Sequence, residues 1–186
     1  VIDVYQDKFR HLAQYPDIDL TIIIPEAYRE GSSIVEGFGG TGEYKVVKLP
    51  VFFGNSGRQN LHFYRSLLPT LQQLQPDILH LEEEPESIVM AQGLYCTNRL
   101  ASRPTTIIYT WRNIAKTHRE WPRTKLQRYI YPLVERYTLQ HADFVVAGNR
   151  EVVDVCRTSM GVTQPMSVIP HGVDPETYRP APPDPT

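Results

Sequence analysis

Three short clusters in the chain bring together residue types that bind or activate ligands. Glu82, Glu83 and Glu84 stand in a row closed by Pro85; Trp111, Arg112 and Asn113 follow the apolar run Thr105 to Tyr109; Asn149 and Arg150 follow Phe144 to Gly148. Adjacent carboxylates repel one another, so in a partly buried crevice at least one can hold a raised pKa, and each can accept hydrogen bonds from substrate hydroxyls. A plainer role competes on equal terms, because Glu84 and Glu86 also favour the positive N-terminal end of a following helix. A tryptophan beside polar groups suits stacking on a sugar face and is also a common half-buried packing residue. Arg112 offers a planar cation for a phosphate or carboxylate, and Asn149 can equally cap a helix. These positions form the candidate substrate-binding set. No catalytic residue and no metal-ligand set emerges beside them.

Each cluster lies just past the end of a short apolar run, where open α/β sheets bind their ligands. Leu20 to Ile24, closed by Pro25, is a β-branched run of the kind buried on both faces of a parallel sheet. Tyr44 to Phe53, Asp77 to Leu81, Thr105 to Tyr109, Phe144 to Ala147 and Ser167 to Ile169 read as further strands, and Glu26 to Glu43 as a polar, glycine-rich loop. Helical patterns alternate with them: Val4 to about Tyr15, Leu61 to Leu74, Ser87 to Ser102, Lys125 to Gln140, and Asn149 to about Met160 with Gly161 past its end. Pro69 and Pro132 fall inside such patterns and should kink or shorten them. The alternation predicts an α/β fold with a doubly wound, mainly parallel Rossmann-like sheet carrying helices on both faces.

Two motifs fail on context. Residues 37–42, Gly-Phe-Gly-Gly-Thr-Gly, match G-x-G-x-x-G, but that fingerprint needs a strand before it and a helix after it to aim backbone N–H groups at a pyrophosphate. Here a loop precedes and a strand follows, which reads as a surface loop or, less simply, a lid. Asp17-Ile18-Asp19 spells the D-x-D of metal-dependent sugar transfer, but it precedes its strand and reads as a turn. No H-E-x-x-H, paired C-x-x-C, P-loop or G-x-S-x-G is present, so metallopeptidase, zinc-module, P-loop and serine-hydrolase chemistry have no signal.

Composition sets the outer limits. The 186 residues are 41% hydrophobic and 22% charged, with a formal net charge of −2. Such a domain buries roughly 70% of its unfolded surface and needs no disulfide or metal staple. Two cysteines, Cys96 and Cys156, in apolar helical stretches suit a reduced, cytoplasmic protein. Near-neutral charge argues against nucleic acid as a partner, and no run reaches the length of a membrane span. Residues 112–128 nevertheless carry six basic side chains against one acid. They form either a solvated helix face or a patch for an anionic acceptor or a membrane surface. The chain opens at Val1 without a methionine and closes in a proline-rich stretch, so residues 1–174 read as one domain, 175–186 as a linker, and both ends as cuts.

Four segments in order, Pro76-Asp77-Ile78-Leu79-His80-Leu81, Tyr109-Thr110-Trp111, His141-Ala142-Asp143-Phe144-Val145-Val146-Ala147 with Asn149-Arg150-Glu151, and Val168-Ile169-Pro170-His171-Gly172-Val173-Asp174 through Tyr178-Arg179-Pro180, resemble the amino-terminal domain of glycosyltransferase family 4. The last segment is the most specific: the family closes this domain with I-P-N-G-V-D and F-x-P, and here His171 replaces the asparagine and Tyr178 the phenylalanine. The resemblance implies half of a GT-B architecture that binds the acceptor. The other half would hold the nucleotide-sugar and an E-x7-E glutamate pair for retaining transfer, with no metal, so the fragment alone would be inactive. It also implies an opening strand and glycine loop before the first helix; their absence should leave a gap in the sheet with unpaired backbone groups. Many members place a histidine shortly after the strand that here ends at Tyr109, where Trp111 and Arg112 stand instead. By this likeness the chain is the acceptor-binding domain of a retaining glycosyltransferase acting on a glycan, lipid or small molecule, cytoplasmic and in possible contact with a membrane surface. A non-catalytic binding module, and a GT-B epimerase or phosphorylase, are the alternatives.

Overall fold

The computed structural model describes residues 6–30, 33–39, 42–56, 59–113 and 124–172. The linker, the segment from Val173 onward and the basic residues Lys116, Arg119 and Arg123 lie outside the described residues. Helix α1 (Asp7–Ala13) leads into β1 (Thr21–Pro25), and the hairpin β2 (Ala27–Glu30) and β3 (Ser33–Glu36) precedes β4 (Lys45–Leu49). A short antiparallel ribbon, β5 (Val51–Phe52) with β6 (Phe63–Tyr64), then delivers the chain to α2 (Leu67–Leu74). From there strand and helix alternate: β7 (Ile78–Leu81), α3 (Ile88–Thr97), β8 (Thr105–Thr110), α4 (Lys125–His141), β9 (Phe144–Ala147), α5 (Arg150–Thr158) and β10 (Met166–Val168).

The α/β class and the parallel pairing agree with the sequence, and the parallel strands fall into two sheets. β1 pairs with β4, and β7 to β10 form a four-stranded sheet in the order β10-β9-β8-β7. In a parallel ladder a residue sends both its N–H and C=O to one side, and its neighbours to the other. The bond from Lys45 N–H to the Leu20 carbonyl (3.0 Å) therefore points Ile22 and Ile24 at β4 and leaves the polar groups of Ile23 on the free edge. The bond from Thr105 N–H to the Asp77 carbonyl (2.9 Å) likewise leaves those of Ile78 and His80 on the free edge of β7. Among the described residues no strand pairs with either edge; the Tyr64 hydroxyl donates to the Ile23 carbonyl at 3.4 Å.

One core lies over the four-stranded sheet, where Ile108, Val145 and Ala147 on one face meet Met90 and Leu94 of α3, Leu139 of α4, and Val152 and Cys156 of α5. A second joins the two sheets: Leu67 and Leu71 of α2 and Val89 and Cys96 of α3 pack with Ile23, Val47, Val51, Tyr64 and Leu79. Buried Thr106 anchors the base of β8, its N–H and hydroxyl both donating to the Asp143 carboxylate at 2.8 and 2.7 Å. Those bonds and Arg103 outweigh partial burial and hold Asp143 below the usual carboxylate range.

Several expected elements differ, each for a local reason. Tyr44 to Phe53 is not one strand, because Pro50 has no N–H to continue a ladder. Within the supposed loop from Glu26 to Glu43, Tyr28, Ile34 and Val35 are strand formers and build the β2–β3 hairpin. The helix expected from Leu61 starts only at Leu67, since Phe63 and Tyr64 pair with Phe52 and Val51. Pro69 then falls in the first turn of α2, where its missing N–H has no partner to lose. Pro132 does not end α4, whose start is fixed by a capping box between Thr124 and Gln127. β1 is half-buried along its length, not buried on both faces.

Candidate functional site

Register aligns the ends of three strands, Thr110 opposite Ala147 and Ala147 opposite Val168, and sets Leu81 at the end of β7 opposite Ile108, two residues short of that line. Whatever follows them is gathered along one edge. Past β7 come the glutamates, past β8 Trp111 and Arg112, past β9 Gly148 and Asn149, and past β10 His171.

The glutamates occupy four different environments. Glu82 pairs with Lys8 of α1. Glu83 is exposed as a residue, yet desolvation of its carboxyl, with Glu84 and then Glu86 close by, pushes it up to about 7. Glu84 is raised chiefly by burial, opposed by a hydrogen bond from the Thr110 hydroxyl (3.1 Å) and one from the Trp111 backbone. Glu86, 1% exposed, receives the Arg112 guanidinium and, at 3.4 Å, the Asn60 amide. Arg112 also pairs with Glu135 of α4. With its side chain 13% exposed and both carboxylates in hand, Arg112 ties the β7–α3 turn, the end of β8 and α4 together. The fork is spent on two internal carboxylates, as expected of a planar group with several donors.

Trp111 remains 41% exposed. Its indole lies against the backbone of Gly148, where an added Cβ would come within 1.8 Å of the ring, so no larger residue fits there without moving it. His171 meets the indole edge-on with ring centroids 4.6 Å apart, and Tyr109 lies 6.0 Å from the indole and 5.2 Å from the imidazole. The Tyr109 hydroxyl is buried with no hydrogen-bond partner among the described residues, and its pKa is raised by burial and by Glu82 and Glu84. The result is an aromatic shelf with acidic groups along one side, a pattern suited to a ring with an apolar face and hydroxyl rim.

Of the remaining expected residues, Asn149 caps α5, its Oδ1 accepting from Val152 N–H at 2.9 Å. Asn113 and Arg150 are exposed at the same edge. Asp19 pairs with Lys45 at 3.0 Å in an exposed turn, and Gly37 follows the β2–β3 hairpin with no helix after it; Gly40 and Thr41 of the glycine motif lie outside the described residues. Among the described residues no group of His, Cys, Asp and Glu is arranged to hold a metal, and no helix is long and apolar enough to cross a membrane. Sequence reasoning did not select Tyr109, Gly148, His171, Glu86 or Glu135. Gly148 had a readable signal, since it directly follows β9, and His171 a weaker one, three residues past β10; Glu135, in mid-helix, had none.

A family model, glycosyltransferase family 4, matches residues 9–177. A search of curated proteins finds no match. The family match runs from within α1 through β10, and the chain belongs to glycosyltransferase family 4.

Proposed function

We propose that this domain is the acceptor-binding half of a retaining glycosyltransferase of GT-B architecture that takes its sugar from a nucleotide-sugar donor in the cytoplasm. The observation that carries the reading is the strand-end row, in which Glu83, Glu84 and the exposed face of Trp111 stand together while Arg112 is engaged elsewhere. A sugar ring stacks its C–H face on Trp111, with Gly148 giving the indole its seat and His171 its side wall. Its hydroxyls donate to Glu83 and Glu84, and the Tyr109 ring packs against the indole and the imidazole. These contacts orient an acceptor hydroxyl toward a donor held by the partner half, and proximity of that kind is a large part of the acceleration of a two-substrate transfer. Charge developing on the departing nucleoside diphosphate is met by cations and helix N-termini, with no resident metal.

The test is acceptor-dependent turnover by the enzyme carrying Trp111→Ala or Glu83→Gln. We expect kcat/KM for the acceptor to fall about tenfold or more, the size of one lost stacking or charged hydrogen-bond contact, with KM for the donor little changed. Unaltered acceptor kinetics in both variants would sink the site assignment.

A further inference from the structure

Thr110 is the last residue of β8, directly before Trp111, and is 1% exposed. Its hydroxyl donates to the Glu84 carboxylate at 3.1 Å and accepts from the Arg112 N–H at 3.3 Å. Its carbonyl accepts from the Gly148 N–H at 3.1 Å, and Gly148 is the residue against which the indole lies. One buried residue therefore joins the acidic turn after β7, the loop after β8 and the glycine after β9. Glu84 completes the link by accepting from the Trp111 N–H.

Packing alone does not account for a threonine at this position. Valine has the same branched shape and the same stiffness in a strand, and it brings no polar group to bury. Burial alone does not supply partners either, since the Thr138 hydroxyl of α4, 0% exposed, has none among the described residues. The Thr110 hydroxyl is instead paired as donor and as acceptor, once on each side of the candidate site. Glu86 and Arg112 also act on Glu84 through their charge, and Glu83, Tyr109 and Cys156 of α5 feel the charge of Glu84 in turn. The Arg112 guanidinium is held by Glu86 and Glu135, which leaves the Thr110 hydroxyl as the side-chain donor that orients Glu84.

We propose that Thr110 is a positioning residue of the acceptor site: its hydroxyl fixes the Glu84 carboxylate and the Trp111 loop relative to each other. The carboxylate that receives a sugar hydroxyl and the indole under the sugar face then keep one spacing. The inference rests on the acceptor-site reading above and adds to it a residue that touches no substrate.

The experiment compares Thr110→Val, which keeps the shape and removes the hydroxyl, with Thr110→Ser, which keeps the hydroxyl, by two NMR measurements. The first follows the Glu84 carboxyl carbon, assigned from its loss in Glu84→Gln, as pH is varied without sugar. The valine variant loses a hydrogen bond to the ionised form, so Glu84 should titrate at higher pH than in the parent, and the serine variant should titrate with the parent. The second follows the Trp111 indole N–H, assigned from its loss in Trp111→Phe, during titration with the methyl glycosides of glucose, galactose and mannose. Thr110→Val should weaken the tightest of them about tenfold, the size of one hydrogen bond to a charged group, and Thr110→Ser should recover most of that loss. A valine variant that matches the parent in both measurements overturns the proposal, and impaired acceptor kinetics in Trp111→Ala or Glu83→Gln would then leave the site reading standing. A serine variant as weak as the valine one, or weaker binding with no movement of the Glu84 titration, assigns Thr110 to packing and also overturns it. If none of the three glycosides moves the indole resonance of the parent, the sugar-site reading falls and the proposal with it. Should the valine variant not fold, Thr110→Ala removes the same hydroxyl and is read by the same two measurements.

Discussion

The four-stranded sheet and the β1–β4 pair are built from similar residues and end up in dissimilar states. Ile108 and Val145 are fully buried, whereas Ile22, Ile23 and Ile24, in the most apolar run of the chain, are half-buried. β8 and β9 each have a strand on both sides, so neighbouring rows of side chains close over them. Among the described residues β1 has one neighbour, and its free edge is met at Ile23 by the Tyr64 hydroxyl. Burial here follows the number of paired strands more than the hydrophobicity of the residue. The candidate row follows the same division, since its fixed parts, Arg112 with Glu86 and Glu135, adjoin the four-stranded sheet.

The largest effect that sharpens this comparison is loss of the internal ion pairs. Arg112→Ala strands a carboxylate that is almost wholly out of water, and breaking a buried pair in this way costs about 3–5 kcal/mol. Urea unfolding should show that loss as a lower midpoint, and a change under about 1 kcal/mol would mean that Arg112 is not a keystone of the edge. Next in size is a matched pair of core truncations. Ile108→Ala in the full sheet should destabilise by about 2–5 kcal/mol. Ile23→Ala in β1 should lose less than half as much, because less of its side chain leaves water on folding. Equal losses would refute the claim that strand neighbours set the burial.

How much of this was legible follows from which forces are local. The order of strands and helices from Asp77 to Val168 could be read because each strand is a compact apolar run and each helix has a start signal such as Thr124 or Asn149. The ribbon β5–β6 could not, because two-residue strands carry no periodicity and are held by Tyr64 and Gln92 across the fold. Glu82 to Glu84 and Trp111 were visible as types at strand ends. That Arg112 turns inward was not, since it depends on Glu135, twenty-three residues away on a helix. The need for Gly148 likewise arises from where the Trp111 ring comes to rest, which no spacing encodes. Division of the parallel strands into two sheets is a pairing property, and β1 reads in sequence as a buried central strand.

The smallest expected effect tests the junction between the two regions. Glu83 follows β7, whose outer edge has no strand beside it among the described residues, and its folded carboxyl is pushed up to about 7 from an ordinary 4.5. Between those values the folded chain keeps a proton that the unfolded chain has given up, so ν_U − ν_N is negative and stability falls as pH rises from about 4.5 through 7. Above 7 both states are ionised and the slope vanishes. Glu84, also raised, adds a slope of the same sign. Asp143, just before β9 and held low, acts oppositely: its stabilisation is present above the ordinary carboxylate range and is lost as pH falls through its folded value. Glu83→Gln should therefore flatten the decline between pH 5 and 7 while leaving the acid limb intact, as measured by urea midpoints across pH 3 to 8. A variant that declines as steeply as the parent would show that water reaches Glu83 freely, and that the open edge of β7 imposes no desolvation on the residues that follow it.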